Sequence, residues 1–345
     1  MSVLLTVIDQ TPIHGDRSAN HAPHTSLELA KACDELGYHR YWLAEHHSSI
    51  QFAGPAPEIL LTLIASHTRH MRIGSGGVML THYSPYKVAE VFRLLTTLFP
   101  GRIDLGIGRA PGGSQLSSAA LAFPAQPSDM DHFPEQAEQL CAFLRNSFSA
   151  SHPFSQLHCP PNEGACPSLW MLGSGGGSAG LAGQLGIGLA LARFIAPQTC
   201  TPAIFDYHDQ ALIKAGHTQR SQRLLALAVV CAETDEQARF IAGTAAYRKM
   251  MTGRGPREPL LSPVEVEHRR QQMSVVQRAE FDEILDNMVV GSPSRCRAEI
   301  LRLCKVFGTC EAGIVTVTYG FEARLASYQL LAQALLANCT TQTTP

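Results

Sequence analysis

The residues best placed to do chemistry close an apolar run: Tyr41-Trp42-Leu43-Ala44-Glu45-His46-His47. A histidine has an ordinary pKa of about 6.5 and trades protons near neutral pH. If the run is a strand, its side chains alternate between faces, so His46 and His47 point apart. One faces the site and the other packs against the neighbouring layer, with Glu45 available to orient an imidazole. A buried, hydrogen-bonded structural histidine is the plain alternative. His82 is a further, weaker candidate at the same level.

Two glycine-bearing segments accompany the histidines. Leu169-Trp170-Met171-Leu172 runs into Gly173-Ser174-Gly175-Gly176-Gly177-Ser178 and then a helix. Glycines let backbone approach an anion, and the free N–H groups and dipole of a helix start favour phosphate. A dinucleotide fingerprint would need an acid about 20 residues further on; Arg193 stands near that place instead. A tight turn without ligand is the alternative. Gly74-Ser75-Gly76-Gly77 lies inside a strand pattern, which marks a bulge or a ligand pressed on the backbone. Arg109, ending Arg102-Ile103-Asp104-Leu105-Gly106-Ile107-Gly108-Arg109, is a forked donor suited to phosphate, or an ordinary surface arginine. An imidazole beside a phosphate cradle suggests an enzyme with a phosphorylated cofactor.

These segments need a scaffold that brings them together. Apolar strands alternate with amphipathic helices about eight times, from Val3–Ile8 to a last strand at 313–318. That rhythm favours a parallel sheet closed into a (β/α)8 TIM barrel, whose strand ends share one active rim. An open doubly wound sheet is the alternative. The reading is one barrel domain over 1–345. Residues 111–128 read as a loop. The rhythm breaks at 252–290, a Gly-, Pro- and Arg-rich stretch followed by a charged helical one, read as a lid inserted before the last strand.

Composition narrows the function classes. The 345 residues are 45% hydrophobic and 16% charged with net charge -2, which fits a large core and argues against nucleic-acid binding. No apolar run is long enough for a membrane span, and the N-terminus reads as a first strand, so a cytoplasmic location is expected. The ten cysteines form no Cys-x-x-Cys pair and read as reduced thiols, several of them buried. The fifteen histidines are scattered, and no metal site is expected. Phe52, Tyr83 and Phe123 on candidate loops permit a hydrophobic or aromatic substrate.

Three blocks in order carry a resemblance: Trp42 to His47; Gly74 to Leu80 with Ser84-Pro85; and Gly101 to Arg109. Together the chain resembles the bacterial luciferase-like monooxygenases, flavin-dependent barrels. The resemblance implies His46 as the proton-handling residue near the flavin and a cis peptide at Gly76-Gly77. It implies a phosphate site of Arg109, Ser174, Gly175, Gly176, Gly177 and Ser178. Asp9, ending the first strand, faces the ring or caps the following turn. The implied activity is oxidation of a small organic substrate by O2 with reduced FMN, supplied by a separate NAD(P)H-dependent flavin reductase. A homodimer through the helices after strands two and three is also implied. Gly108 stands where luciferase has a reactive cysteine, and Gly173 where it has an acid, so light emission is not expected. The alternatives are an F420-dependent oxidoreductase, a non-catalytic flavin-binding protein and a sugar-phosphate barrel enzyme.

Overall fold

The computed structural model describes residues 2–161, 166–219, 221–255 and 257–336. In chain order the elements are β1 (Leu4–Asp9), α1 (Ala22–Glu35), β2 (Arg40–Leu43), α2 (Pro57–His67), β3 (Arg72–Met79), α3 (Pro85–Leu98) and β4 (Ile103–Gly108). There follow α4 (Gln115–Ala122), α5 (Phe133–Arg145), β5 (Ser168–Gly173), α6 (Gly176–Leu185), β6 (Gly188–Ala192), α7 (Ala203–Lys214) and β7 (Arg223–Cys231). The last are α8 (Asp235–Met250), α9 (Pro263–Gln272), α10 (Val275–Asp286), β8 (Val289–Gly291), α11 (Pro293–Phe307), β9 (Glu311–Val315) and α12 (Phe321–Leu335).

Strands β1 to β7 and β9 pair in parallel and close on themselves through β1–β9 and β6–β7, giving an eight-stranded barrel. The open-sheet alternative is thereby overturned. β8 is a short ninth strand outside the barrel, paired with the end of β7. Side-chain alternation sorts each strand between two layers. On β1, Leu5 and Val7 join the main core between barrel and helices, while Ile8 joins the barrel interior.

The interior is filled from the N-terminal end upward. Arg40 is held between Asp104 and Glu311, at 2.7 Å from each, and Arg72 also reaches Asp104. This ionic plug is buried, and each charge is paired, which is what makes burial tolerable. Trp42 and Trp170 lie above it, edge to face with centroids 5.2 Å apart. Their bulk explains neighbouring glycines: a Cβ at Gly76 would come within 2.9 Å of Trp42, and one at Gly188 within 2.6 Å of Trp170. Above the tryptophans the barrel is open, and that space is the site.

Two parts of the chain differ from the sequence reading. Residues 111–128 contain α4, whose N-cap Ser114 accepts from the Ser117 N–H; its Ser- and Ala-rich sequence lacks an apolar face, which hid it. The 252–290 segment is three things rather than one. Residues 251–252 and 257–261 border the barrel mouth, and Leu260 is buried against the Trp42 cluster. α9 and α10, each started by a capping box on Ser262 or Ser274, pack on α8 around a separate apolar cluster that includes Val266, Met273 and Phe281. β8 follows. The nine described cysteines are free thiols, seven of them buried.

Candidate active site

A cavity of about 820 Å³ opens at the C-terminal end of the barrel, at the upper end of the usual range for ligand sites. His46, Gly76, Gly77, Arg109, Ser174 and Ser178 all line it. Asp9 does not. Its alternation with Ile8 turns it outward into the barrel–helix layer. There it accepts from Arg324 at 2.6 Å, from the Tyr41 hydroxyl at 2.5 Å and from the Thr11 N–H at 2.7 Å. Asp9 caps the turn after β1 and does not face the cavity; the same alternation puts Gln10 on the wall.

The two histidines separate as strand alternation requires. His47 is buried and meets Glu45 at 2.6 Å; Glu45 also accepts from Tyr83 and from the Met79 N–H. His46 turns into the cavity and lies against Phe52, with ring centroids 4.7 Å apart. Its Nδ1 is buried and has no hydrogen-bond partner among the described residues. Burial, the nearby Arg248 and then His47 and Arg257 hold its pKa down at about 4, so the ring is neutral at pH 7. His82 does not itself line the cavity; its Nε2 lies 2.7 Å from the carbonyl oxygen of Pro111, which does.

Acid should therefore weaken the fold. His14, 1% exposed, is likewise held at about 4 by burial and then Arg324. Both rings stay neutral in the folded state down to that value, while in the unfolded chain they protonate near 6.5. Between these values the unfolded state binds more protons, so stability falls as pH falls, by at most about 1.4 kcal/mol per pH unit for each ring, and by less for His46, which borders the open cavity. Above 6.5 this loss is absent. His39 and His208, also shifted down by burial, act in the same direction. Melting temperatures should be level from pH 8 to 6.5 and drop from 6.5 to 5. His14→Asn with His46→Asn should flatten that drop; an unchanged slope would refute the assignment.

The glycine segments play different parts. The Gly76-Gly77 peptide is cis, and the β3–β4 register shifts between Gly76 and Val78. A Cβ at Gly77 would come within 2.8 Å of the Gly106 carbonyl oxygen. These two glycines are thus required by Trp42 and β4 as well as bordering the cavity. On the other wall, α6 begins with Gly175 as N-cap and has no acidic residue in its first turn. No side chain caps it, so its first N–H groups are left for a ligand. A Cβ at Gly173 would fall 2.3 Å from the Ser178 hydroxyl, so glycine there lets Ser178 close on the strand end. Gly175 and Gly177 have open space where a Cβ would sit. Gly175, Gly176 and Gly177, expected from the sequence to hold the cofactor, are not among the residues that line the cavity, whereas Gly173, Ser174 and Ser178 are. Arg109 is exposed at its edge and forms no ion pair among the described residues. This donor set, cationic and rich in N–H and hydroxyl groups, fits a phosphate.

Several wall residues escaped the sequence reading. Arg248 and Lys249 end α8, where basic residues ordinarily just complement the helix dipole. Arg248 stacks over Phe52 at 5.2 Å. Burial and Arg257 lower its pKa to about 10, so it remains a cation at neutral pH. Gln51 donates to the Glu258 carbonyl at 2.6 Å, tying the 257–262 segment to the wall. Of the cations that line the cavity, only Arg257 lies in the Arg-rich stretch noted in the sequence. No cluster of three or more metal-ligating side chains occurs among the described residues, and no described helix is long and apolar enough to cross a membrane.

The fold and site define a closed parallel (β/α)8 barrel with a large cavity at its C-terminal rim. The family model described as luciferase-like monooxygenase matches residues 3–309, and the chain belongs to that family. The N-acetyl-S-alkylcysteine monooxygenase of Bacillus subtilis is 36% identical, covering 97% of this chain and 99% of that protein. The luciferase-like monooxygenase of Escherichia coli is 31% identical, with coverages of 95% and 96%. The crystal structure of apo-MsnO8 is 36% identical and superposes with a TM-score of 0.85 over 96% of this chain and 98% of that one. The fold is shared by an FMN complex of a 3,6-diketocamphane monooxygenase component (20% identity, TM-score 0.71, coverages 97% and 98%). It is also shared by an F420-dependent secondary alcohol dehydrogenase (14%, 0.71, 97% and 99%).

Proposed function

We propose that this protein is an FMN-dependent monooxygenase acting on a small organic substrate. The observation that carries the reading is the convergence of His46, Gly76, Gly77, Arg109, Ser174 and Ser178 on one cavity. Reduced FMN would supply the two electrons with which O2 gives one oxygen atom to the substrate and one to water. The chain's part is to bind, orient and keep water out. Ser174, Ser178, Arg109 and the free N–H groups of α6 hold the phosphate. His46, neutral and with Nδ1 unengaged, handles the proton nearest the reacting atoms. The apolar walls, including Phe52, Met79, Phe194 and Leu260, take the substrate, and the 257–262 segment acts as the lid. The thioether substrate in the Bacillus relative's name is of suitable size and polarity.

Reduced flavin comes from a separate reductase on this reading. Two further cavities among the described residues, of about 230 and 210 Å³, are small for a second dinucleotide. Ile59 and Leu63 on α2 and Leu94 and Leu98 on α3 are exposed, which supports a homodimer through those helices.

Titration with FMN and with F420, followed by turnover with chemically reduced FMN and O2, tests the proposal. Micromolar or tighter FMN binding and O2-dependent oxidation of a thioether probe are expected. Tight F420 binding without FMN binding would make the protein a deazaflavin enzyme. FMN binding with no oxygenated product under any condition would leave a flavin carrier. Rapid NAD(P)H consumption by the purified protein would remove the separate reductase.

A further inference from the structure

The cavity wall carries more positive charge than one cofactor phosphate explains. Arg109, Arg248, Lys249 and Arg257 face it, against two carboxylates, Glu45 and Glu258. Both carboxylates are already committed: Glu45 to His47 and Tyr83, and Glu258 to a two-pronged pair with Arg269 at 3.0 Å. Lys249 donates to the Phe194 carbonyl. Arg248 and Arg257 have no acceptor within hydrogen-bond distance among the described residues, and the Arg248 Nε is sealed from solvent without a partner. A guanidinium left unpaired in such a place costs stability unless a ligand completes it.

The cations also sit in two separate groups. Arg109 belongs to the β4 end, beside the β5–α6 cradle. Arg248 and Arg257 belong to the end of α8 and the segment after it, on the His46 side. Phe52 is shared: His46 packs on its ring, and the Arg248 guanidinium lies over it. Arg248 lines the cavity beside Phe52, and a guanidinium in that place can take a carboxylate through two parallel hydrogen bonds.

We propose that Arg248, assisted by Arg257, is the subsite for an anionic head group on the substrate, and that the substrate is an organic carboxylate with an apolar body. The inference takes from the proposed function only that the flavin phosphate occupies the Ser174–Ser178 end. The head group anchors at the α8 side while the apolar part lies along Phe52 and Leu260, which places the oxidisable atom within a few bonds of the carboxylate, beside His46.

The test uses full-length protein saturated with oxidised FMN and two matched probes, octanoate and octanamide, titrated by calorimetry. Octanoate should bind at least about 10-fold more tightly than octanamide in the wild type, the value of a charge-assisted pair of hydrogen bonds. Arg248→Gln should reduce that ratio to about 1–3 while leaving FMN affinity within about 3-fold. Arg248→Lys should keep part of the preference. Arg248→Gln should also melt no lower than wild type, because it removes an unpaired charge. Equal binding of the two probes by wild type would overturn the proposal without needing any variant. So would an unchanged ratio in Arg248→Gln, or octanoate competing with FMN, which would assign the arginine to the phosphate. Octanoate preference in a protein that fails to bind FMN would keep this inference and defeat the flavin reading. FMN binding without octanoate preference would do the reverse.

Discussion

Replacing His46 by alanine is expected to lower turnover with reduced FMN and O2 by about 10²–10⁴-fold, the usual worth of a positioned proton-transfer group. Affinity for oxidised FMN should change by no more than about 3-fold. The split follows from where the ring lies. His46 borders the cavity on the β2 side, and the phosphate cradle is built from β4, β5 and α6. Removing the ring therefore spares the groups that hold the cofactor tail. The backbone should tolerate the change, since the His46 N–H pairs with the Gly54 carbonyl whatever the side chain is. His46→Gln offers a polar group without comparable basicity and should rescue little. If both variants turn over within about 3-fold of wild type, His46 is a wall residue and nothing more. The protonation state has its own check in the ligand-free protein: an NMR titration of the ring should find its midpoint near 4, and a midpoint near 6.5 would show it solvated and free of Arg248.

Ser178→Asp should be the most damaging change to cofactor binding and should do no harm to the fold. Residue 178 is the third residue of α6, where a negative side chain complements the helix dipole and adds about 0.3–1 kcal/mol of stability. The same charge would face the FMN phosphate across the cradle. At about 4 Å and the effective dielectric of a protein surface, each pair of like charges costs about 4 kcal/mol. Flavin affinity should fall by at least about 10³-fold, with a melting temperature equal to or above that of wild type. Arg109→Gln, which removes one exposed donor, should cost less, on the order of 10-fold. Unchanged flavin affinity in Ser178→Asp would show that the phosphate lies elsewhere.

The parts of the site legible in the sequence were those written in local, periodic terms. Opposite orientations for His46 and His47 follow from strand alternation alone. The α6 start follows from a strand, a glycine run and a helix in succession. The same alternation rule, applied to Val7, Ile8 and Asp9, would have turned Asp9 outward; the functional expectation for a strand-end acid obscured a purely geometric argument. The helix at Gln115–Ala122 escaped because Leu116, Leu121 and their small neighbours make no buried stripe. The two helices of the insertion were visible as charge and periodicity, yet their boundaries lay in the capping boxes at Ser262 and Ser274.

Residue types and their spacing determined that this chain alternates strands and helices and carries an imidazole and a glycine-rich helix start at strand ends. These are local properties, set by backbone preference and side-chain period within a few residues. Only the tertiary structure decided that Gly76 and Gly188 make room for two tryptophans, that Glu258 is spent on Arg269, and that Arg248 is left unpaired beside His46. Each of those depends on contacts between residues far apart in the chain, and whether a charge is paired or bare is a property of the neighbours that folding assembles around it.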